Sequence, residues 1–401
     1  MKKSISKLQI LVFAVCYLSY TSVYIARLNF SVASVLLSSL QILDKTQIGL
    51  IGSIFGVTFA LGKLPNGYIG DRIPSERMIC IGLVLIGLSN IGIALAPVFW
   101  NIALLWGVNA WGQSMLWGPM LRTIAAYFDE RHAKSAGAFL VSSVAFGSIV
   151  GLWIGTAFSS AGSVEECFLI PGAVALAMAL AVWVLFRKSS PARQMQKPMP
   201  LRRLFHNREF LMLVAPALCH GMIKDNLTIW LAVYFFDTFC LEISGMFWYI
   251  LFIPLAGFLG RILFPPIYAL FRHNEYKVSI CAFIVCLAAI LPLIWGGISA
   301  AAAMVCLGVI SAMISIINTH ILTVFPSQFA SSGNIASVSG IMDVLTYGGA
   351  AVSSLFFGIL IEHGGYAGMF AIWAAAALVS LTLLSAFEKG RAHRKNPANE
   401  V

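Results

Sequence analysis

The sequence predicts an all-α polytopic membrane protein, twelve transmembrane helices arranged as two six-helix pseudo-repeat bundles. Three observations lead there. Of 401 residues, 59% are hydrophobic and only 10% are Asp, Glu, Lys or Arg. Soluble domains carry about 25% charged residues, so this chain has too little polar surface to cover a water-facing globule, which excludes a cytosolic enzyme, a secreted domain and a disordered chain. The apolar residues also fall in long runs without period-two alternation, which selects helices over a barrel. Finally, the runs stand six on each side of a polar interval at 188–209.

Crossing the hydrocarbon takes roughly 20 mostly apolar residues as helix. By that ruler the first half holds runs at 8–36, 47–70, 77–96, 99–128, 133–158 and 166–187. The second holds runs at 210–237, 243–270, 275–295, 298–325, 331–360 and 365–387. The first run follows Lys2, Lys3 and Lys7, as a signal peptide would. It is too long for one, and Arg27 interrupts it without a small-residue cleavage site, so it reads as a retained helix. Ala96-Pro97 and Trp295-Gly296-Gly297 read as tight hairpins. The 34 glycines suit close helix packing in lipid. The cysteines Cys16, Cys80, Cys167, Cys219, Cys240, Cys281, Cys286 and Cys306 form no CxxC or Cys/His cluster, so neither a disulfide framework nor a metal site is indicated.

Orientation follows from the basic residues. With both termini on one side, that side holds Lys2, Lys3, Lys7, Arg72, Arg77, Arg131, Lys134, Arg272, Lys277, Lys389, Arg391, Arg394 and Lys395, together with the basic 188–209 segment. The other side offers Lys45 against Asp44, Glu165, Glu166, Glu242 and Glu362. The positive-inside rule makes both termini cytoplasmic. The net charge of +10 is then a topology signal, with no nucleic-acid partner implied. The expected domains are 1–187, a cytoplasmic linker at 188–209, and 210–401, the layout of two bundles that rock about a site between them.

The halves carry matching ionisable groups. The first span reads Tyr24-Ile-Ala-Arg27-Leu-Asn29 and the seventh reads Met222-Ile-Lys224-Asp225-Asn226, each with a cation deep in its half's opening helix. In the fourth span Arg122 precedes Tyr127-Phe128, and in the tenth His320 precedes Phe325-Pro326. After the second span stands Gly67-Tyr-Ile-Gly70-Asp71-Arg72. This loop resembles the G-x-x-x-D-R motif of the major facilitator superfamily, and the general likeness covers the whole chain. Within that superfamily the chain is similar to the organophosphate:phosphate antiporters, including sugar-phosphate permeases. The matching patches are Tyr24 to Asn29, Trp117-Gly-Pro119-Met-Leu-Arg122-Thr123, Lys224 through Trp230 to Tyr234, and His320 to Pro326. The resemblance implies the major facilitator fold, with cations at Arg27 and Lys224 binding a substrate phosphate from opposite halves. Two departures stand out: the second family cation is usually arginine, and the family histidine of the fifth span has no counterpart in 141–147.

A charge at the bilayer centre costs at least about 2.5–3.5 kcal/mol on insertion scales, so such residues face protein or water and mark function. Arg27 and Lys224 are candidate substrate ligands, the alternative for Arg27 being an ion pair that locks helices. Asp225 is a candidate for coupling or for structural pairing. Because adjacent helical residues point about 100° apart, it is expected to pair with another helix rather than share the stripe of Lys224. Asp343 is either a proton carrier or one partner of a gating salt bridge. Arg122 belongs to an inner gate or snorkels to the surface. His320 is a site histidine by resemblance or a hydrogen-bonded packing residue, and His220 shares a face with Lys224. Tyr24, Asn29 and Trp230 are expected near the cations. Asp71 and Arg72 are expected to act in gating.

The sequence holds no P-loop, G-x-S-x-G or H-E-x-x-H motif, so neither an enzyme nor an ATP-driven pump is expected, and no cofactor or metal. The leading expectation is a secondary transporter of a small organic anion, of the phosphorylated class by resemblance, working by alternating access as a monomer in a bacterial inner membrane. Inorganic phosphate would be the exchange partner. The alternatives are proton-coupled transport of a carboxylate or drug-like solute through Asp225 or Asp343, and a membrane sensor built on a transporter fold.

Overall fold

The computed structural model describes residues 6–70, 73–129, 132, 136, 137, 139–186, 204–329 and 335–395. Among them every ordered element is helical, and each of the twelve apolar runs is helical over most of its described residues. The first half comprises α1 (Lys7–Ser39), α2 (Lys45–Gly70), α3 (Ser75–Leu95), α4 (Phe99–Ser114), α5 (Trp117–Tyr127), α6 (Ser142–Ser160) and α7 (Val164–Phe186). The second comprises α8 (Arg208–Phe239), α9 (Phe247–Leu270), α10 (Glu275–Trp295), α11 (Ala300–Thr319), α12 (Ile335–Gly364) and α13 (Tyr366–Lys395). The start of α1 is set by a capping box, in which Gln9 N–H donates to Ser6 Oγ at 3.2 Å and Ser6 N–H donates to Gln9 Oε1 at 2.8 Å. The tight hairpins are present: residues 96–98 join α3 to α4, and Gly296 and Gly297, both at φ +69°, open the turn after α10.

Two spans expected to be continuous are interrupted. The fourth breaks at Met115-Leu116, between α4 and α5. Proline lacks an N–H and clashes with the preceding turn, but both defects vanish in the first turn of a helix, where that N–H has no partner anyway. Restarting the helix at Trp117 puts Pro119 there. In the tenth span α11 passes at His320 into a wide π-type turn through Val324, whose Phe325 N–H donates to the His320 carbonyl, and a short helical segment carries on to Ser327. The extra residue in that turn makes room for Pro326.

Among the described residues, ten helices are long and apolar enough to cross a membrane. The two remaining spans have physical reasons for falling short. Broken span four offers 16 and 11 residues, and α8, though 32 residues long, carries His220, Lys224, Asp225 and Asn226 in its middle.

The chain forms two compact units, Met1–Met195 with Thr228–Leu251, and Gln196–Leu227 with Phe252–Val401. In the first, α1 and α6 meet along Gly147, Gly151 and Gly155. A Cβ on Gly147 would stand 2.5 Å from the Thr21 carbonyl oxygen, so only glycine admits that approach. The 228–251 stretch is tied into this unit by Ser31 Oγ, which donates to the Thr228 carbonyl at 2.6 Å, and by Lys45 Nζ, 2.7 Å from Asp237 Oδ2. In the second unit α8 and α12 approach most closely at Gly221 and Gly349, and α9 meets α11 at Gly257 and Gly260.

Candidate functional site

The first unit holds a cation set among aromatic rings. Arg27, half-buried on α1, places its guanidinium carbon 4.8 Å from the Phe55 ring centroid and 5.8 Å from those of Phe59 and Tyr24. Tyr24 lies one turn before Arg27, whereas Phe55 and Phe59 are successive turns of α2. Aromatic faces attract cations by about 0.5–2 kcal/mol each and orient a guanidinium without neutralising it, because a quadrupole is not a counter-ion. Lys63, one further turn along α2, puts its Nζ 5.0 Å from the same Phe59 ring. Two cations thus converge on one aromatic side chain. Beneath them runs a buried polar chain: Gln113 Nε2–H donates to Asn109 Oδ1 at 2.8 Å, and Asn109 Nδ2–H donates to the Ala26 carbonyl at 3.1 Å, next to Arg27. Tyr20 lines the same face of α1, 5.6 Å from Tyr24 and 4.9 Å from Trp117, the residue at which α5 restarts.

Asn29 and Trp230 are both buried. Asn29 is fully buried, and its Nδ2 donates at 3.0 Å both to Asn90 Oδ1 and to the Cys167 carbonyl, so it pins α1 to α3 and α7. Two residues past Arg27 on a helix is about 200° around the axis, which turns it to the opposite side. Asn29→Ala is therefore expected to lower stability by about 1–3 kcal/mol, by stranding the Asn90 oxygen. Thermal unfolding in detergent reads this, while transport per folded molecule should be unchanged. Trp230 is 1% exposed within the first unit, where it packs as core.

In the second unit, Lys224 Nζ lies 4.5 Å from the Tyr347 ring of α12 and 3.4 Å from Asp225 Oδ2. Asp225 thus reaches the lysine whose stripe it was not expected to share. Adjacent Cα–Cβ directions do diverge, but a four-carbon lysine stem is flexible enough to carry its ammonium round to the neighbouring carboxylate. Asp343 stands one turn before Tyr347 on the same helix face. Asn226 is structural: its Nδ2 donates to Ser353 Oγ at 2.8 Å and to the Met222 carbonyl at 2.9 Å.

His320 is 1% exposed, its Nδ1 bonds Ser279 Oγ at 2.7 Å, and its ring meets Tyr276 edge-on at 5.1 Å. His320 thus ties the start of the wide turn to α10 through Nδ1, while its Nε2 is buried without a hydrogen-bond partner among the described residues. Arg122 lies half-buried on α5. Asp71 and Arg72 fall outside the described residues. Among the described residues no group of three His, Cys, Asp or Glu could hold a metal ion.

Sequence reasoning passed over Lys63, although it is an ammonium inside an apolar run and the cost of burying charge flags it as it flagged Arg27. It also missed Phe55, Phe59 and Tyr347, which carry no signal of their own because their role depends on which helices meet.

The family model described as Major Facilitator Superfamily matches residues 16–342. The "Phosphoglycerate transporter protein" of Salmonella typhimurium is 29% identical over 281 residues, covering 67% of this chain and 58% of that protein. A "Probable hexose phosphate transport protein" of Chlamydia trachomatis is 27% identical over 178 residues, covering 44% of this chain and 39% of that one. The match therefore spans less than two thirds of either relative's length. Among solved structures, the nucleoside transporter NupG superposes with a TM-score of 0.75 at 14% identity, covering 96% of this chain and 99% of that one. At that identity the likeness speaks for the fold.

Proposed function

The chain belongs to the Major Facilitator Superfamily, an integral membrane fold of apolar helices, and from that premise we propose that it is a secondary transporter of small phosphorylated organic anions, exchanging them for inorganic phosphate by alternating access. The observation that carries this reading is the convergence of Arg27 and Lys63 on the Phe59 ring. Two positive charges held beside neutral rings repel one another and favour a dianion, and a phosphate ester at neutral pH supplies one with acceptor oxygens for a planar guanidinium fork. Lys224 of the second unit is a further cation inside an apolar run. The named activities of the two relatives agree with this substrate class. The excess of Lys and Arg on the side of the termini supports cytoplasmic ends in a bacterial inner membrane.

In this mechanism the anion offsets the repulsion among the cations, which lowers the barrier to closure. A carrier that closes more readily with an anion bound couples outward movement of one anion to inward movement of another. The Lys224–Asp225 contact at 3.4 Å favours one variation: a carboxylate already beside the cation competes with substrate, and its protonation would release Lys224 and couple a proton to transport.

Purified protein in phosphate-loaded liposomes should accumulate external radiolabelled phosphate against its gradient by counterflow. No accumulation, with the protein folded and inserted, would remove phosphate as exchange partner. Accumulation that depends on an inward proton gradient instead would favour the Asp225 route, and ligand binding without flux would point to a sensor.

A further inference from the structure

The second unit contains an intramembrane cation that the mechanism above does not use. Arg261 lies on α9, nine residues before its end at Leu270. At 1.5 Å rise per residue that is about 14 Å along the axis, farther than an arginine readily snorkels. Its Nε is buried and has no hydrogen-bond acceptor among the described residues. The neighbouring Gly260 brings α9 against α11 so closely that a Cβ there would stand 2.3 Å from the Ala312 carbonyl oxygen, and one on Gly257 would stand 2.7 Å from Ser311 Oγ and 3.0 Å from Ser315 Oγ.

α8 converges on the same stretch of α11. His220 is fully buried, and its Nε2–H donates to the Ile314 carbonyl at 3.2 Å. In the neutral ring its Nδ1 is then an acceptor, and it has no partner among the described residues. Lys224 stands one turn on from His220 on α8, and Arg261 stands one turn on from Gly257, which faces Ser311 and Ser315 of α11. A guanidinium and an ammonium thus stand on the two helices that pack on this stretch of α11, beside which one buried imidazole cannot itself donate to an anion while neutral.

We propose that Arg261 forms a second anion subsite, which takes the carboxylate of a phosphorylated carboxylic acid whose phosphate lies on Lys224. This rests on the anion-transport reading and deepens it by naming the substrate class. The division of labour follows the chemistry: guanidinium presents a planar fork that matches a carboxylate bidentately, whereas ammonium is a compact point charge that tolerates any face of a phosphate. A buried guanidinium nitrogen without an acceptor costs free energy until an anion supplies one, so a ligand with a second anionic group gains where a phosphate ester of a neutral alcohol does not.

The test is binding of 3-phosphoglycerate and of glycerol 3-phosphate to the purified full chain in detergent, by calorimetry. Wild type should bind 3-phosphoglycerate at least tenfold more tightly. Arg261→Gln should bring the two affinities together while leaving glycerol 3-phosphate within twofold, and Arg261→Lys should retain part of the preference. Equal affinities in the wild type overturn the subsite without recourse to any variant. So does a preference that survives in Arg261→Gln, or loss of both ligands by a folded variant. If wild type binds neither compound, the anion-transport reading itself falls and the subsite with it.

Discussion

Arg27→Gln should reduce phosphate counterflow by about 30-fold or more at subsaturating phosphate. Removing one partner from a close, desolvated charge pair costs about 2–5 kcal/mol, and each 1.4 kcal/mol is a factor of ten. The effect should be large because the Phe55, Phe59 and Tyr24 rings hold the guanidinium where a glutamine amide brings neither charge nor fork. Arg27→Lys separates the two contributions: it restores charge without bidentate geometry and should recover only part of the rate. Phe59→Leu removes an orienting ring that Arg27 and Lys63 share, for an expected loss of about threefold, in line with an exposed cation–π contact. Counterflow above a tenth of the wild-type rate in Arg27→Gln would show that the anion is held elsewhere.

The second large effect is on folding. A Cβ on Gly221 would meet the Thr346 carbonyl oxygen at 1.8 Å and its carbon at 2.5 Å, and the reciprocal Gly349 faces the Leu218 carbonyl oxygen at 2.1 Å. The obstructing atoms are backbone, so no side chain can rotate out of the way, and α8 must move off α12. Overpacking of this kind typically costs about 1–3 kcal/mol and occasionally more. Gly221→Ala should reach the upper end, visible as a sharp fall in monodisperse yield and a lower thermal midpoint. Because Lys224 and Tyr347 sit within a turn of this contact, folded Gly221→Ala should also bind anions less well. Gly340→Ala is the control: nothing stands within 4 Å of a Cβ there, and the substitution should be neutral or slightly stabilising.

What could be read from sequence divides along physical lines. Twelve apolar runs are visible without a structure because crossing lipid imposes length and hydrophobicity on contiguous residues. The breaks at Met115-Leu116 and at 320–324 are not, since hydropathy carries no information about backbone hydrogen bonding, although Pro119 and Pro326 each stood beside one. Arg27 and Lys224 were legible as charges placed where charge is expensive. Lys63 and Arg261 carried the same signal and were passed over for want of a partner motif. Asn29 and His320 show the limit of proximity in sequence: both lie within the matching patches, and their hydrogen bonds to Asn90, Cys167 and Ser279 could not be read from those patches. The Asp225 contact was missed because an argument from Cβ directions neglects the reach of a lysine stem.

The wide turn at His320–Val324 bears on how this chain is aligned with its relatives. A π-type turn is an α-helix with one residue inserted, and its flanks keep their own faces. Removing one residue between 320 and 324 would close the turn into an ordinary one without rotating α11 against the residues that follow. A one-residue gap placed here therefore belongs inside a membrane helix, near its end. An alignment that pushes the gap into the nearest loop would misassign every position from His320 onward in that span by one.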